Sequence, residues 1–160
     1  MQQAERPKFK LFKASEYRVG IAVAQFNRAI TRRLLAGARA CLLRYGVPAR
    51  QITVAEVAGS IELPVALQAL AETGRYNCLV ALGAIIRGAT PHFDYVGKIA
   101  SEGILRVMLD YHLPVGFGVL TCDTLAQARA RVGAGEQATE AALQSARLLS
   151  EVRLSRQRNA

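Results

Sequence analysis

Apolar and polar positions along this chain follow two rhythms that take turns. Short, mainly apolar runs occur at Val19–Ala24 (VGIAVA), Ile52–Val57 (ITVAEV), Cys78–Ile86 (CLVALGAII) and residues 115–120 (VGFGVL). Their length and β-branched content predict strands, and the third run reads as one buried on both faces. Between them apolar residues recur at spacings of three and four. Ile30, Leu34, Leu35, Ala38, Cys41, Leu42 and Tyr45 form one face of a helix predicted over residues 30–45. Asn27 is placed to cap that helix, and Gly46 with Pro48 stops it. Further helices are predicted over residues 62–72, 92–111, 124–131 and 136–153, the last two separated by Gly133-Ala134-Gly135.

Strand and helix alternating in this way imply a parallel sheet with helices on both faces and right-handed crossovers. Four such units predict an α/β fold, a flavodoxin-like three-layer α/β/α sandwich with a four-stranded parallel sheet. The organisation expected is an N-terminal arm over residues 1–17, a single domain over 18–153 and a basic C-terminal tail over 154–160. The arm carries no packing pattern of its own. It is either frayed or a strand that pairs elsewhere, including with another subunit.

Composition narrows the class. With 160 residues, 51% of them hydrophobic, the chain has the material for a real core and not for disorder. No apolar run approaches the ~20 residues that span a bilayer. Met1 to Lys8 holds no apolar stretch of the secretory kind, so a cytoplasmic protein without membrane contact is expected. Cys41, Cys78 and Cys122 are odd in number and set in apolar contexts, which reads as structural thiols in a reducing compartment. The net charge of +9 invites a nucleic-acid reading, but residues 1–18 and 147–160 each carry +3 of it. There is no basic stripe with interleaved aromatics, so no nucleic-acid partner is expected.

Ligands of open parallel sheets collect beyond the carboxyl ends of the strands. The four strands lead into Gln25-Phe26-Asn27, Ala58-Gly59-Ser60-Ile61-Glu62, Gly88-Ala89-Thr90-Pro91-His92 and Thr121-Cys122-Asp123. These supply an aromatic face, a carboxylate, an anion cradle and an imidazole. The third is the most telling. A glycine-containing turn from a buried strand into a helix leaves free N–H groups at the positive end of the helix dipole, where anions bind. Thr90 adds a hydroxyl, and His92 is close enough to exchange protons with whatever the turn holds.

Each residue also has an ordinary structural reading. Phe26 suits a hydrophobic staple, Ser60 an N-cap, Glu62 an acid in a first helical turn, His92 a cap and Arg131 a solvated helix end. Phe117 lies inside a strand between Gly116 and Gly118, which leaves room for something to approach its ring, or for the ring to pack on a helix.

The run from Ile85 to Val96 (IIRGATPHFDYV), with Gln25-Phe26-Asn27, Gly59-Ser60-Ile61-Glu62-Leu63-Pro64 and Phe117-Gly118-Val119-Leu120-Thr121, resembles the lumazine synthases of riboflavin biosynthesis. The similarity covers about residues 18–149, in family order and at family spacing, and implies the fold already inferred. It implies condensation of 5-amino-6-(D-ribitylamino)uracil with 3,4-dihydroxy-2-butanone 4-phosphate to 6,7-dimethyl-8-ribityllumazine, phosphate and water, with no cofactor and no metal. Under it Phe26 stacks on the pyrimidinedione, with Asn27 beside it. Ser60, Ile61 and Glu62 hold the ring edge and ribityl hydroxyls, and the Ile85 and Ile86 backbone reads the pyrimidinedione. Ala89 and Thr90 cradle the phosphate, with Arg131 as cation, and His92 shuttles protons. The sites lie between subunits of a homopentamer or higher assembly, so Phe117 and Arg131 come from a neighbour; riboflavin synthase is a further partner the resemblance allows.

The sequence departs from the family at two places. Ala58 stands where a proline is usual, and residues 131–137 lack the lysine that helps bind phosphate, while Glu136 brings in a negative charge. Losing one cation is expected to weaken phosphate binding without removing the proton chemistry. The competing readings are an archaeal-type riboflavin synthase of the same fold and a weakly catalytic shell-forming or ligand-binding relative. The first has no phosphate to hold, and intact His92 counts against the second.

Overall fold

Alternation along the strands sorts their side chains into two apolar layers, one on each face of a single sheet. A computed structural model describes residues 7–158. Its strands are β1 (Val19–Ala24), β2 (Ile52–Val57), β3 (Cys78–Ile86) and β4 (Val115–Cys122), all parallel in the order β2-β1-β3-β4. The helices are α1 (Arg28–Arg44), α2 (Leu63–Glu72), α3 (His92–Asp110), α4 (Leu125–Ala130) and α5 (Ala134–Arg158). Val19, Ile21, Val23, Cys78, Val80, Leu82 and Leu120 face α1 and α5, whereas Ala22, Ala24, Leu79, Ala81, Ile85 and Val119 face α2 and α3. Both central strands are thus covered twice, which is why they read as unbroken apolar runs.

The first three predicted strands match the observed ones. β4 runs two residues further, through Thr121 and Cys122, which pair with Ile85 and Ile86. α1 starts at Arg28, and Asn27 stands before it in a left-handed conformation (φ 56°) without a side-chain capping bond. Ser60 does not cap α2; it opens a 3₁₀ turn over Ser60–Glu62 that feeds the helix.

The ends are more ordered than their sequence suggested. Ala14 is buried, its N–H donates to the Tyr45 carbonyl at 2.8 Å, and Gln51 Nε2 donates to the carbonyls of Ser15 and Tyr17. Phe12 packs edge-on to Tyr17 and Tyr45, and Arg147 covers its ring. So the second half of the arm, expected to be frayed or a strand pairing elsewhere, packs without strand structure against α1 and α5, while residues 1–6 lie outside the described residues. At the other end α5 carries the expected basic tail as helix to Arg158; residues 159 and 160 lie outside the description.

Gly116 and Gly118 have a different purpose from the one their position beside Phe117 suggested. A Cβ on Gly116 would run into the carbonyl oxygen of Ala138, and one on Gly118 would meet Leu82 and the Ala81 carbonyl. Gly116 lets the backbone of α5 lie directly on β4, and Gly118 makes room for Leu82 of β3 under the same helix. Gly135 does the same as Gly116 where α5 meets the Leu34 carbonyl of α1. Replacing Gly116 or Gly135 by alanine should destabilise the fold by about 3 kcal/mol, because backbone on the far side cannot give way. Gly133→Ala, which meets nothing closer than 3.7 Å, should stay within about 0.5 kcal/mol of the parent. Urea midpoints at one fixed protein concentration decide it; equal midpoints for all three variants would sink the argument.

Candidate functional site

A cavity of about 250 Å³ opens beyond the carboxyl ends of β1 and β3. It exists because the two strands differ in reach. β1 pairs with β3 only as far as Leu82, while β3 continues to Ile86. Ala84, Ile85 and Ile86 therefore form one wall.

The opposite wall comes from the turns after β1 and β2. Gln25 and Phe26 donate their backbone N–H groups to the carbonyls of Val57 and Ala58, at 2.8 and 3.0 Å, so the chain leaves β1 toward β2. The Phe26 ring stays 72% exposed and lies over Gly59, where an added Cβ would be 3.3 Å from it. It is a flat apolar surface facing the cavity and not a staple. Asn27 crosses to β3: its Nδ2 donates to the Ala84 carbonyl at 2.7 Å. That bond, with the left-handed backbone Asn tolerates, is what the residue does in place of capping.

Gly59 donates its N–H to Glu62 Oε2 at 2.8 Å, which orients the carboxylate at the cavity edge while Glu62 stays exposed. Ser60 is buried, and Gly83 makes room for its hydroxyl, since a Cβ there would be 2.6 Å from Oγ. His92 opens α3 and lines the cavity with Val96, one turn further along.

Phe26, Asn27, Ser60, Ile61, Glu62, Ile85, Ile86 and His92 are thus brought together. Ala89 and Thr90 lie in the exposed loop between Ile86 and His92, at the start of the 19-residue α3, and do not line the cavity itself. Phe117 and Arg131 are elsewhere. Phe117, 47% exposed, borders a separate groove of about 350 Å³ with Met108, Leu109 and Leu148. Arg131 follows α4, exposed, near Cys122.

Sequence reasoning assigned no role to Gly59, Ala84, Val96 or Arg87. Val96 was signalled by its spacing of four from His92; the others act through backbone or through partners distant in sequence. Arg87 joins the loop after β4 to the first turn of α3: Nε donates to Asp123 Oδ1 at 2.8 Å, and Nη1 lies 3.5 Å from Asp94 Oδ2. The hydrogen bond to Asp123 raises the Arg87 pKa above its ordinary value, with Asp94 adding to it.

The negative charge expected from Glu136 is turned away from this region. Arg44 Nη1 holds its carboxylate at 2.8 Å on the α1 side. The thiols are inert: burial pushes Cys78 up to about 12 and Cys41 up to about 11, so both stay protonated at neutral pH. Burial likewise raises Cys122, with the Arg131 charge opposing it. No group of three or more His, Cys, Asp or Glu side chains gathers as metal ligands would among the described residues.

Residues 16–150 match the family described as 6,7-dimethyl-8-ribityllumazine synthase. A curated relative, the 6,7-dimethyl-8-ribityllumazine synthase of Lawsonia intracellularis (strain PHE/MN1-00), is 42% identical over 146 residues. That stretch covers 88% of this chain and 93% of the relative.

The Asn27 tie yields a stability prediction of its own. Asn27→Ala should destabilise the protein by about 2 kcal/mol, having lost the bond to Ala84 and acquired left-handed strain. Asn27→Gly, which loses only the bond, should cost about 1 kcal/mol. Thermal or urea unfolding that ranks the two equally would refute the backbone part of this account.

Proposed function

The chain belongs to the 6,7-dimethyl-8-ribityllumazine synthase family, and from that premise we propose how its residues carry out the family's condensation. The enzyme is a transferase of riboflavin biosynthesis that joins 5-amino-6-(D-ribitylamino)uracil to 3,4-dihydroxy-2-butanone 4-phosphate. The observation that carries the assignment of residues is the cavity where Phe26, Glu62, the free end of β3 and His92 meet.

In this reading the pyrimidinedione stacks on Phe26, whose exposed ring offers area without rearrangement. Asn27 lies beside the ring, Ile85 and Ile86 present main-chain groups to it, and Ser60, Ile61 and Glu62 take its edge and the ribityl hydroxyls. The phosphate sits on the turn of Gly88, Ala89 and Thr90, where the α3 dipole favours negative charge. Imine formation, phosphate expulsion and ring closure each move a proton, and His92, between ring and phosphate, is the group that moves it. A phosphate held by N–H groups and a guanidinium leaves readily because its charge is stabilised as it develops. The rest of the rate comes from aligning two substrates.

The guanidinium is assigned to Arg131 of a neighbouring subunit, with the neighbour's Phe117 completing the ring pocket, in a homopentamer or larger assembly. Support comes from both side chains being exposed and away from their own cavity. Val65, Tyr95, Ile99 and Leu109 leave further apolar surface uncovered. Riboflavin synthase, the consumer of the product, is a further partner on the family resemblance alone. Three free, buried cysteines suit a reducing cytoplasm, and no helix among the described residues is long and apolar enough to cross a membrane.

The direct test mixes the protein with both substrates, without added metal or cofactor, and follows lumazine fluorescence together with phosphate release. Neither signal appearing would reject the catalytic reading. His92→Ala should slow turnover by ~10² or more with substrate affinity similar; a variant within twofold of the parent would return His92 to a structural role. Complementation tests the shared site. Exchanging His92→Ala subunits with Arg131→Ala subunits should restore some activity, because a fraction of interfaces then holds both intact halves. Mixed oligomers that form and stay inactive would show each site to be built from one chain.

A further inference from the structure

We infer that Arg87 is a positioning residue for the phosphate: its guanidinium braces the anion-binding turn and, shared between two carboxylates, offsets part of the negative charge that would otherwise repel the anion. The inference rests on the reading that Gly88, Ala89 and Thr90 cradle the phosphate.

The turn has little of its own to hold it. Gly88, Ala89 and Thr90 are exposed, and a Cβ on Gly88 would meet nothing within 4 Å. Its shape is therefore set by its two ends, and Arg87 grips both. On the strand side its backbone N–H donates to the Cys122 carbonyl at 2.9 Å, and its Nε donates to Asp123 at 2.8 Å. On the helix side Nη1 meets Asp94 in the first turn of α3, and the guanidinium carbon lies 4.2 Å from the centroid of the Phe93 ring. One planar side chain thus ties the start of α3 to the end of β4 across the turn.

Electrostatics give the second half of the argument. An acid in the first turn of a helix is favoured by the same dipole that favours a bound phosphate, so Asp94 and the anion compete for one positive end. Asp123 adds a second negative charge next to it. Arg87 offsets one of these charges and shares itself between them. All three side chains are roughly half exposed or more, so neither ion pair alone contributes much stability. Their value is geometric and local. A lysine would keep the charge and lose the fork that reaches two carboxylates while lying over a ring.

The experiment is steady-state kinetics on the assembled enzyme, varying 3,4-dihydroxy-2-butanone 4-phosphate at saturating ribitylaminouracil, and the converse. Arg87→Gln should raise KM for the phosphate-bearing substrate ~10-fold, with KM for the uracil within twofold and a smaller fall in kcat. Arg87→Lys should fall between parent and Arg87→Gln. In an Asp94→Asn/Asp123→Asn background, Arg87→Gln should add less than about twofold, because there is no longer a charge to offset or a brace to break. An equal loss in both backgrounds would mean that Arg87 touches the phosphate itself, and the positioning role falls. Thr90→Val, run alongside, separates the two levels. If it raises the phosphate-substrate KM and Arg87→Gln does not, the brace is wrong and the cradle stands. If neither moves that KM, the cradle is wrong and the brace falls with it.

Discussion

The mismatch in reach between β1 and β3 governs the rest of the site. β3 is nine residues long and buried on both faces, but its pairing with β1 ends at Leu82. β1 stops because Gln25 and Phe26 turn to the β2 side, bonding to Val57 and Ala58. The last residues of β3 are left with a strand on one flank and a cavity on the other. Asn27 then closes the base of the gap by reaching the Ala84 carbonyl. Had β1 continued beside β3 to Ile86, there would be no cavity, and Phe26 would lie in the sheet.

The far side of the sheet solves the opposite problem, how to bring elements closer than side chains normally permit. Gly116 and Gly135 remove Cβ atoms where α5 crosses β4 and α1, so backbone meets backbone, and Gly118 leaves room for Leu82 of β3 beneath the same helix. The resulting layer is thin and rigid. On that layer β4 lies in the register that puts Thr121 and Cys122 opposite Ile85 and Ile86, directly before the turn of Gly88, Ala89 and Thr90. Rigidity there and openness at the cavity are parts of one arrangement.

What could be read from the sequence follows from this division. Buried parallel strands announce themselves, because covering both faces demands unbroken apolar runs, and three of the four were bounded to the residue. β4 was cut short since Thr121 is polar and its pairing partner lies 36 positions away. The cavity lining was legible where it follows strand ends, as with Phe26, Glu62 and His92. It was illegible where a residue's partner is remote. Nothing near Glu136 points to Arg44, and nothing near Asn27 points to Ala84. Phe12, Ala14 and Tyr17 keep no regular period, so the docking of Phe12 and Ala14 on Tyr45, with Tyr17 against Phe12, could not be anticipated. The glycines beside Phe117 do mark a close approach, but its partners, Ala138 and Leu82, are remote in sequence and do not involve the Phe117 ring.

The three buried cysteines have a practical consequence. They occupy distinct places: Cys41 within α1, Cys78 at the start of β3 and Cys122 at the end of β4. In the folded state they are protonated and shielded, so an alkylating reagent can reach each one only when its surroundings open. The chain therefore carries three natural clocks for local opening, one in a helical layer and one at each end of the central sheet. Their relative labelling rates would report whether the edge strand beside the turn of Gly88, Ala89 and Thr90 breathes before the core does, without a single engineered probe.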